Sequence, residues 1–183
     1  MSTAYRARFE WQRSFVKQQK SAGCSAVGCK ERRIAALELH HLDPSLKVAD
    51  VTSRYWLRFP DAEDRLACEA AKCIVVCTMH HRELTFRHAR TSLREWTAPR
   101  KRLFYHRRKE LIKQFKLAKQ YCHACNLEID DLNHELFDLD HLDPSKKRGK
   151  SIAGSWCVKE SDLITEMRKC RLVCANCHRC KSI

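Results

Sequence analysis

The chain has 183 residues, 44% of them hydrophobic and only four each glycine and proline, a composition that indicates a folded, mostly ordered protein rather than a disordered one. Lys and Arg outnumber Asp and Glu by 36 to 22, and the net charge of +14 favours a polyanionic partner. No apolar run approaches the roughly 20 residues that span a bilayer, and "MSTAYRARFEWQRSF" lacks the apolar segment of a signal peptide. The expectation is an intracellular protein, cytoplasmic or nuclear, with nucleic acid rather than membrane as its partner.

The first predicted element is a basic helix over "YRARFEWQRSFVKQQK". Cys24 and Cys29 follow with four residues between them, and then "LELHHLDPSLK", where the apolar alternation predicts a strand running into a turn at the proline. After Trp56, Pro60 and Asp61 open a predicted helix through "DAEDRLACEAAK". "KCIVVCTMHHR" then places Cys77 and His80 two residues apart at the start of a short helix carrying His81 and Arg82. From Pro99 to Lys119, "PRKRLFYHRRKELIKQFKLAK" holds nine Lys or Arg against one Glu, with Phe104, Leu111, Ile112 and Phe115 near helical spacing. It predicts a basic amphipathic helix joining two halves, with Arg100, Lys101, Arg102, Arg107 and Arg108 as phosphate contacts.

The second half repeats the first. Cys122 and Cys125 form a knuckle, "FDLDHLDPSKK" places a second HLDPS one hundred positions after the first, and Trp156 stands one hundred after Trp56. Ser161 with Asp162 is predicted to cap a helix through "LITEMRK", and "KCRLVCANCHR" supplies Cys174 and Cys177, then His178 and Arg179. Two copies of this size predict two small α+β domains, 1–97 and 98–183, rather than one large core.

Clustered cysteines in a reducing compartment more often bind metal than form disulfides. Zinc takes four soft ligands in a tetrahedron, and a two-residue gap lets one turn supply a pair. The two expected structural zinc sets are Cys24, Cys29, Cys77 and His80, and Cys122, Cys125, Cys174 and Cys177. Cys73 and Cys170, four residues before the second knuckles, are expected to pack. His88, His106, His123 and His134 are expected to be surface histidines.

In these motifs the chain resembles the HNH endonucleases, the zinc-stapled branch of the ββα-metal nucleases. "CRLVCANCHR" is the most specific part and "LELHHLDPSLK" the next. The resemblance implies two ββα-metal domains in tandem, each preceded by a basic helix, acting as a DNA endonuclease. By the same resemblance His41 and His141 are the general bases, and His40 with His81, and Asp140 with His178, ligate a catalytic Mg²⁺ or Mn²⁺. Histidine suits a base near neutral pH, and a carboxylate with an imidazole leaves most of a Mg²⁺ shell open to phosphate and water. Lys47, Lys147, Arg82 and Arg179 place cations beside each site. Where the family carries the asparagine that orients the base, this chain has Lys72 and Cys73, or Lys169 and Cys170. Because His40 stands where the other half has Asp140, both halves are expected to cut, the second faster, and a monomer could then break both strands. A non-catalytic zinc module binding DNA or RNA accounts for the cysteines and the charge but leaves the HLDPS histidines idle, and a zinc-dependent protein-interaction domain accounts for the cysteines alone.

Overall fold

A computed structural model describes residues 3–89, 99–147, 152 and 159–181, the side chains of 86–89 and 99–103 excepted. Trp156 and Cys157, the side chains of His88, Arg100, Lys101 and Arg102, and the expected boundary at 97/98 lie outside that description. The elements run α1 (Thr3–Gln19), β1 (Leu37–His41), α2 (Ala62–Ala70), β2 (Cys73–Cys77), α3 (Thr78–Ala89), α4 (Pro99–Leu117), β3 (Phe137–His141), α5 (Glu160–Met167), β4 (Cys170–Cys174) and α6 (Ala175–Lys181). The fold is α+β. It divides into two compact units between His81 and Arg82, inside α3.

In the first unit β1 and β2 form an antiparallel hairpin with Leu37 opposite Cys77 and His41 opposite Cys73. Facing residues of such a pair share one face and neighbours along a strand alternate, so Leu37, Leu39 and His41 lie on one face and Glu38 and His40 on the other. The core is small: Val16 from α1, Val51, Trp56, and Leu66 and Ala70 from α2, with Trp11, Phe15 and Leu39 packed against it. Polar groups there are satisfied, as when the Trp56 indole N–H donates to the Asp50 carbonyl at 2.9 Å and the Gln12 amide reaches the Val51 carbonyl at 2.9 Å. Asp61 occupies the N-cap of α2 but makes no capping bond; its carboxylate pairs instead with Arg65, one turn on, at 2.8 Å.

The second unit repeats the hairpin with Phe137 opposite Cys174 and His141 opposite Cys170. Among the described residues, Phe137, Leu163, Met167 and Leu172 are its largest buried apolar side chains. Its α5 starts at Glu160, so Ser161 and Asp162 lie inside the first turn rather than at the cap, which falls at Lys159 without a side-chain bond. Glu160 and Asp162 instead place negative charge against the N-terminal end of the helix dipole. The basic helix expected between the halves is α4, and its C-terminal end is tied down by Lys116, whose ammonium donates to the carbonyls of Phe137 at 2.6 Å and His134 at 3.2 Å.

Each hairpin is followed without a break by a helix, because Cys77 and Cys174 end their strands one residue before α3 and α6 begin. Each HLDPS segment forms the same turn after its strand. Asp43 and Asp143 accept from the amides of Ser45 and Ser145 at 2.8 and 2.9 Å and from their hydroxyls at 2.7 Å, and Pro44 and Pro144 start a 3-10 turn.

Candidate functional site

Four ligand atoms converge in each unit: Cys24, Cys29, Cys77 and His80 in the first, and Cys122, Cys125, Cys174 and Cys177 in the second, each set lying mutually within 4.8 Å. Both sets are those expected from the spacing. Zinc–sulfur bonds of about 2.3 Å in a tetrahedron put sulfurs about 3.8 Å apart and sulfur and nitrogen slightly closer. The Cys125 and Cys174 sulfurs are 3.8 Å apart, and His80 Nδ1 lies 3.5 Å from the Cys24 sulfur and 3.0 Å from that of Cys77. The donor chemistry is that of two structural zinc sites, and the described cysteines form no disulfide.

The backbone prepares these sites in the same way twice. Ser25 and His123, each one residue after the first ligand, donate their amides to Val75 and Leu172 at 2.8 Å, hooking the knuckle onto the hairpin. The Cys77 and Cys174 amides donate to the Cys24 and Cys122 sulfurs at 3.2 Å. Left-handed residues bend the chain around each first knuckle: Gly23 and Gly28 at φ 89° and 76°, Gln120 and Asn126 at 65° and 58°. At Gly23 a side chain would also come within 3.0 Å of the Glu31 carbonyl, so the glycine there is required twice over. Burial pushes the Cys29 thiol up to about 11. At Cys122 burial pulls the same way, but amide donors from Cys174, Ala124 and Cys125 outweigh it and bring the thiol down to about 7. One ligand of the second site is thereby poised as thiolate.

Cys73 and Cys170 point elsewhere. Their thiols approach the carbonyls of Glu69 and Glu166 at 3.6 and 3.5 Å, and burial pushes both up to about 11. Neither joins a metal cluster. His123 also stands apart as an exposed residue, and His134 Nδ1 donates locally to the Asp131 carbonyl, 2.9 Å away.

A second constellation lies on the other face of each hairpin. In the second unit His178 Nδ1 is 2.9 Å from Asp138 Oδ2, which leaves Nε2 turned toward Asp140 Oδ1 at 3.9 Å. The bond to Asp138 raises the His178 pKa. Asp138 is itself held at about 2: burial opposes its ionisation, but His178 and the two-pronged guanidinium of Arg82 outweigh it. Asp140 Oδ2 accepts from Arg171 at 3.0 Å and Lys181 at 2.8 Å. In the first unit His81 Nδ1 bonds to Glu38, and the His81 ring packs edge-on against His40 with centroids 4.9 Å apart. The positions matching Arg171 and Lys181, counted back 97 residues, are Ile74 and Leu84. The family resemblance had marked His81, His178, His40 and Asp140. It had not marked Glu38 and Asp138, although both stand two residues before His40 and Asp140 and so share their strand face.

The HLDPS histidines are largely enclosed. His41 is 6% exposed and its Nε2 lies 2.8 Å from Glu69 Oε1, while His141, with 11% of its side chain exposed, lies 2.7 Å from Glu166 Oε1. Lys72 and Lys169 hold the other oxygen of each glutamate at 2.7 Å.

The expected phosphate contacts divide. Arg179 and Lys147 are exposed, and Lys47 is exposed but paired with Asp50 at 2.6 Å. Arg107 is open to solvent beside Glu160 at 3.2 Å. Arg108 is turned inward: it is 7% exposed, with its guanidinium 5.8 Å from the Phe104 ring centre, so packing has claimed it. Arg82 is committed to Asp138. Among the described residues no helix is long and apolar enough to cross a membrane. No family model, curated protein or solved structure matches the chain.

Proposed function

We propose that this chain is a metal-dependent endonuclease of the HNH type, hydrolysing phosphodiester bonds in DNA, with His41 and His141 as general bases. The observation that carries the reading is the opposed pair in the second unit, Asp140 Oδ1 and His178 Nε2 at 3.9 Å, with Asp138 fixing the imidazole from behind. Two ligands at about 2.1 Å from one octahedral ion are separated by about 3 Å when adjacent and about 4.2 Å when opposite, and the observed gap falls between these. A carboxylate behind a histidine is the usual support of a metal-ligating imidazole. A Mg²⁺ or Mn²⁺ held there would act as a Lewis acid toward the phosphate and leaving oxygen. The chain's own residues do the rest.

Asp140 and His141 are neighbours on one strand and approach its end from opposite faces. A phosphodiester that meets both therefore lies across the strand end, where the HLDPS turn and Lys147 stand. Arg171 and Lys181, already on Asp140 Oδ2, add positive charge where a phosphate would be received. In the first unit the same place holds His40 beside His81, with no carboxylate at the position of Asp140 and with Ile74 and Leu84 in place of the cations. Its affinity for a hard cation is lower, so the second unit carries the faster reaction.

The binding-module reading draws on one observation, the enclosure of His41, which suits a structural histidine–glutamate contact as well as a base. Supercoiled plasmid decides between them. Incubation with the zinc-loaded protein is expected to give nicked and linear products only with Mg²⁺ or Mn²⁺, and Asp140→Asn should suppress the linear product and leave only slow nicking by the first unit, with DNA binding intact. Binding without turnover at any divalent concentration would leave the non-catalytic module as the function.

A further inference from the structure

The asparagine that would orient the base is absent, yet in both units the histidine is held, and by the same chain of groups. A glutamate of the helical segment before the knuckle strand reaches Nε2, at 2.8 Å for Glu69 on His41 and 2.7 Å for Glu166 on His141. A lysine three residues later reaches the second carboxylate oxygen, at 2.7 Å in both. Glutamate and histidine are 28 residues apart in the first unit and 25 in the second. The intervening loops thus differ in length while the contact keeps its atoms and distances.

The chemistry of the acceptor decides what the contact does. Glu69 is 2% exposed, and burial alone would favour its protonated form, but Lys72, the Val48 amide at 2.8 Å and His41 outweigh burial and hold it at about 2. An ionised carboxylate only accepts hydrogen bonds. The imidazole nitrogen facing it must carry the proton, and in a neutral ring the other nitrogen then has the free lone pair.

We propose that Glu69 and Glu166 are positioning residues that fix His41 and His141 as the Nε2–H tautomer, making Nδ1 the nitrogen that takes the proton in hydrolysis. The inference rests on the endonuclease reading. In the step it describes, a water O–H bond breaks and its proton goes to Nδ1. The water oxygen bonds to phosphorus, the phosphorus–oxygen bond to the leaving group breaks, and the leaving oxygen takes a proton from solvent. The imidazolium so formed remains against the glutamate, whose other carboxylate oxygen is held by Lys72 or Lys169.

The test combines a spectroscopic readout with a kinetic one, on the full zinc-loaded chain. Long-range ¹H–¹⁵N correlation spectra of histidine-labelled protein, assigned with H41A and H141A, should show both neutral rings protonated at Nε2. In Glu166→Ala, made in the H41A background so that only the second unit cuts, the His141 ring should lose that preference and kcat for plasmid cleavage should fall by up to the roughly 10²–10⁴ that a general base supplies, with KM and zinc content unchanged. Glu166→Gln keeps an acceptor oxygen and the side-chain shape; it should retain the tautomer and lose roughly 10-fold in kcat, at the lower end of what such supporting groups are worth. A proton on Nδ1 in the unsubstituted protein, or wild-type kcat in Glu166→Gln, overturns the proposal. If the unsubstituted protein cuts nothing, the function is misread, and the spectra still decide the tautomer by themselves.

Discussion

Cys170 and Cys174 lie four residues apart on β4, are 3% and 2% exposed, and share one face of the strand, yet the structure gives them different work. Substituting each by serine separates metal ligation from packing. Cys174 is one of four converging sulfurs, and burial pushes its thiol far up, so without a metal it is a protonated group among the other three cysteine sulfurs. A structural zinc contributes apparent binding free energy on the order of 10–16 kcal/mol, whereas a unit of about 100 residues has a net stability of about 5–15 kcal/mol. Losing even half of the metal's contribution is comparable with that whole stability. Cys174→Ser should therefore unfold the second unit at 25 °C and leave one zinc per chain, with the first unit's spectrum intact. The Cys170 thiol instead approaches the Glu166 carbonyl at 3.5 Å. A serine hydroxyl can make that contact too, and Cys170→Ser should cost roughly 1–2 kcal/mol with both zinc ions retained. Elemental analysis for zinc, ¹H–¹⁵N spectra resolved by unit and thermal melting are sufficient. Two zinc ions and an unchanged spectrum in Cys174→Ser, or equal damage from the two substitutions, would refute the assignment.

DNA affinity should fall steeply with salt, the log–log slope steepening by about 0.9 for each phosphate contacted; Arg179→Ala should make it shallower and Arg108→Ala, at a buried site, should act on stability instead. His141→Ala should leave slow nicking by the first unit and His41→Ala should spare most first-strand cleavage while impairing linearisation, as followed on agarose gels; full loss of cleavage in His141→Ala would make the first unit a binding domain. The Glu69 carboxyl is lowered from 4.5 to about 2, so its contribution is fully present above pH 4.5 and is lost as pH falls toward 2. Guanidinium unfolding should accordingly show Glu69→Gln less stable by on the order of 3 kcal/mol at pH 7, the gap closing below pH 4.5; a gap that widens in acid would mean the opposite sign.

Both metal clusters were legible without coordinates, because a tetrahedral ion imposes its own arithmetic. Soft donors in closely spaced pairs, about fifty residues apart, leave few other uses for Cys122, Cys125, Cys174 and Cys177, and the repeat carried the same reading to Cys24, Cys29, Cys77 and His80. The strands at Leu37–His41 and Phe137–His141 were legible too, since alternation and the following proline are local properties. Packing decided the rest. Glu69 and Glu166 look like surface residues of amphipathic helices, and nothing within a turn of either shows that it meets a histidine 28 or 25 residues back. Arg108 belongs to a run of basic residues that a charge count assigns to solvent, but a helix has one inward face and this arginine falls on it. Asp138 gains its role only when α6 lies over the hairpin and His178 comes within 2.9 Å. Metal ligation is written as spacing along the chain, whereas the partner of a charge depends on which helix face the core draws inward.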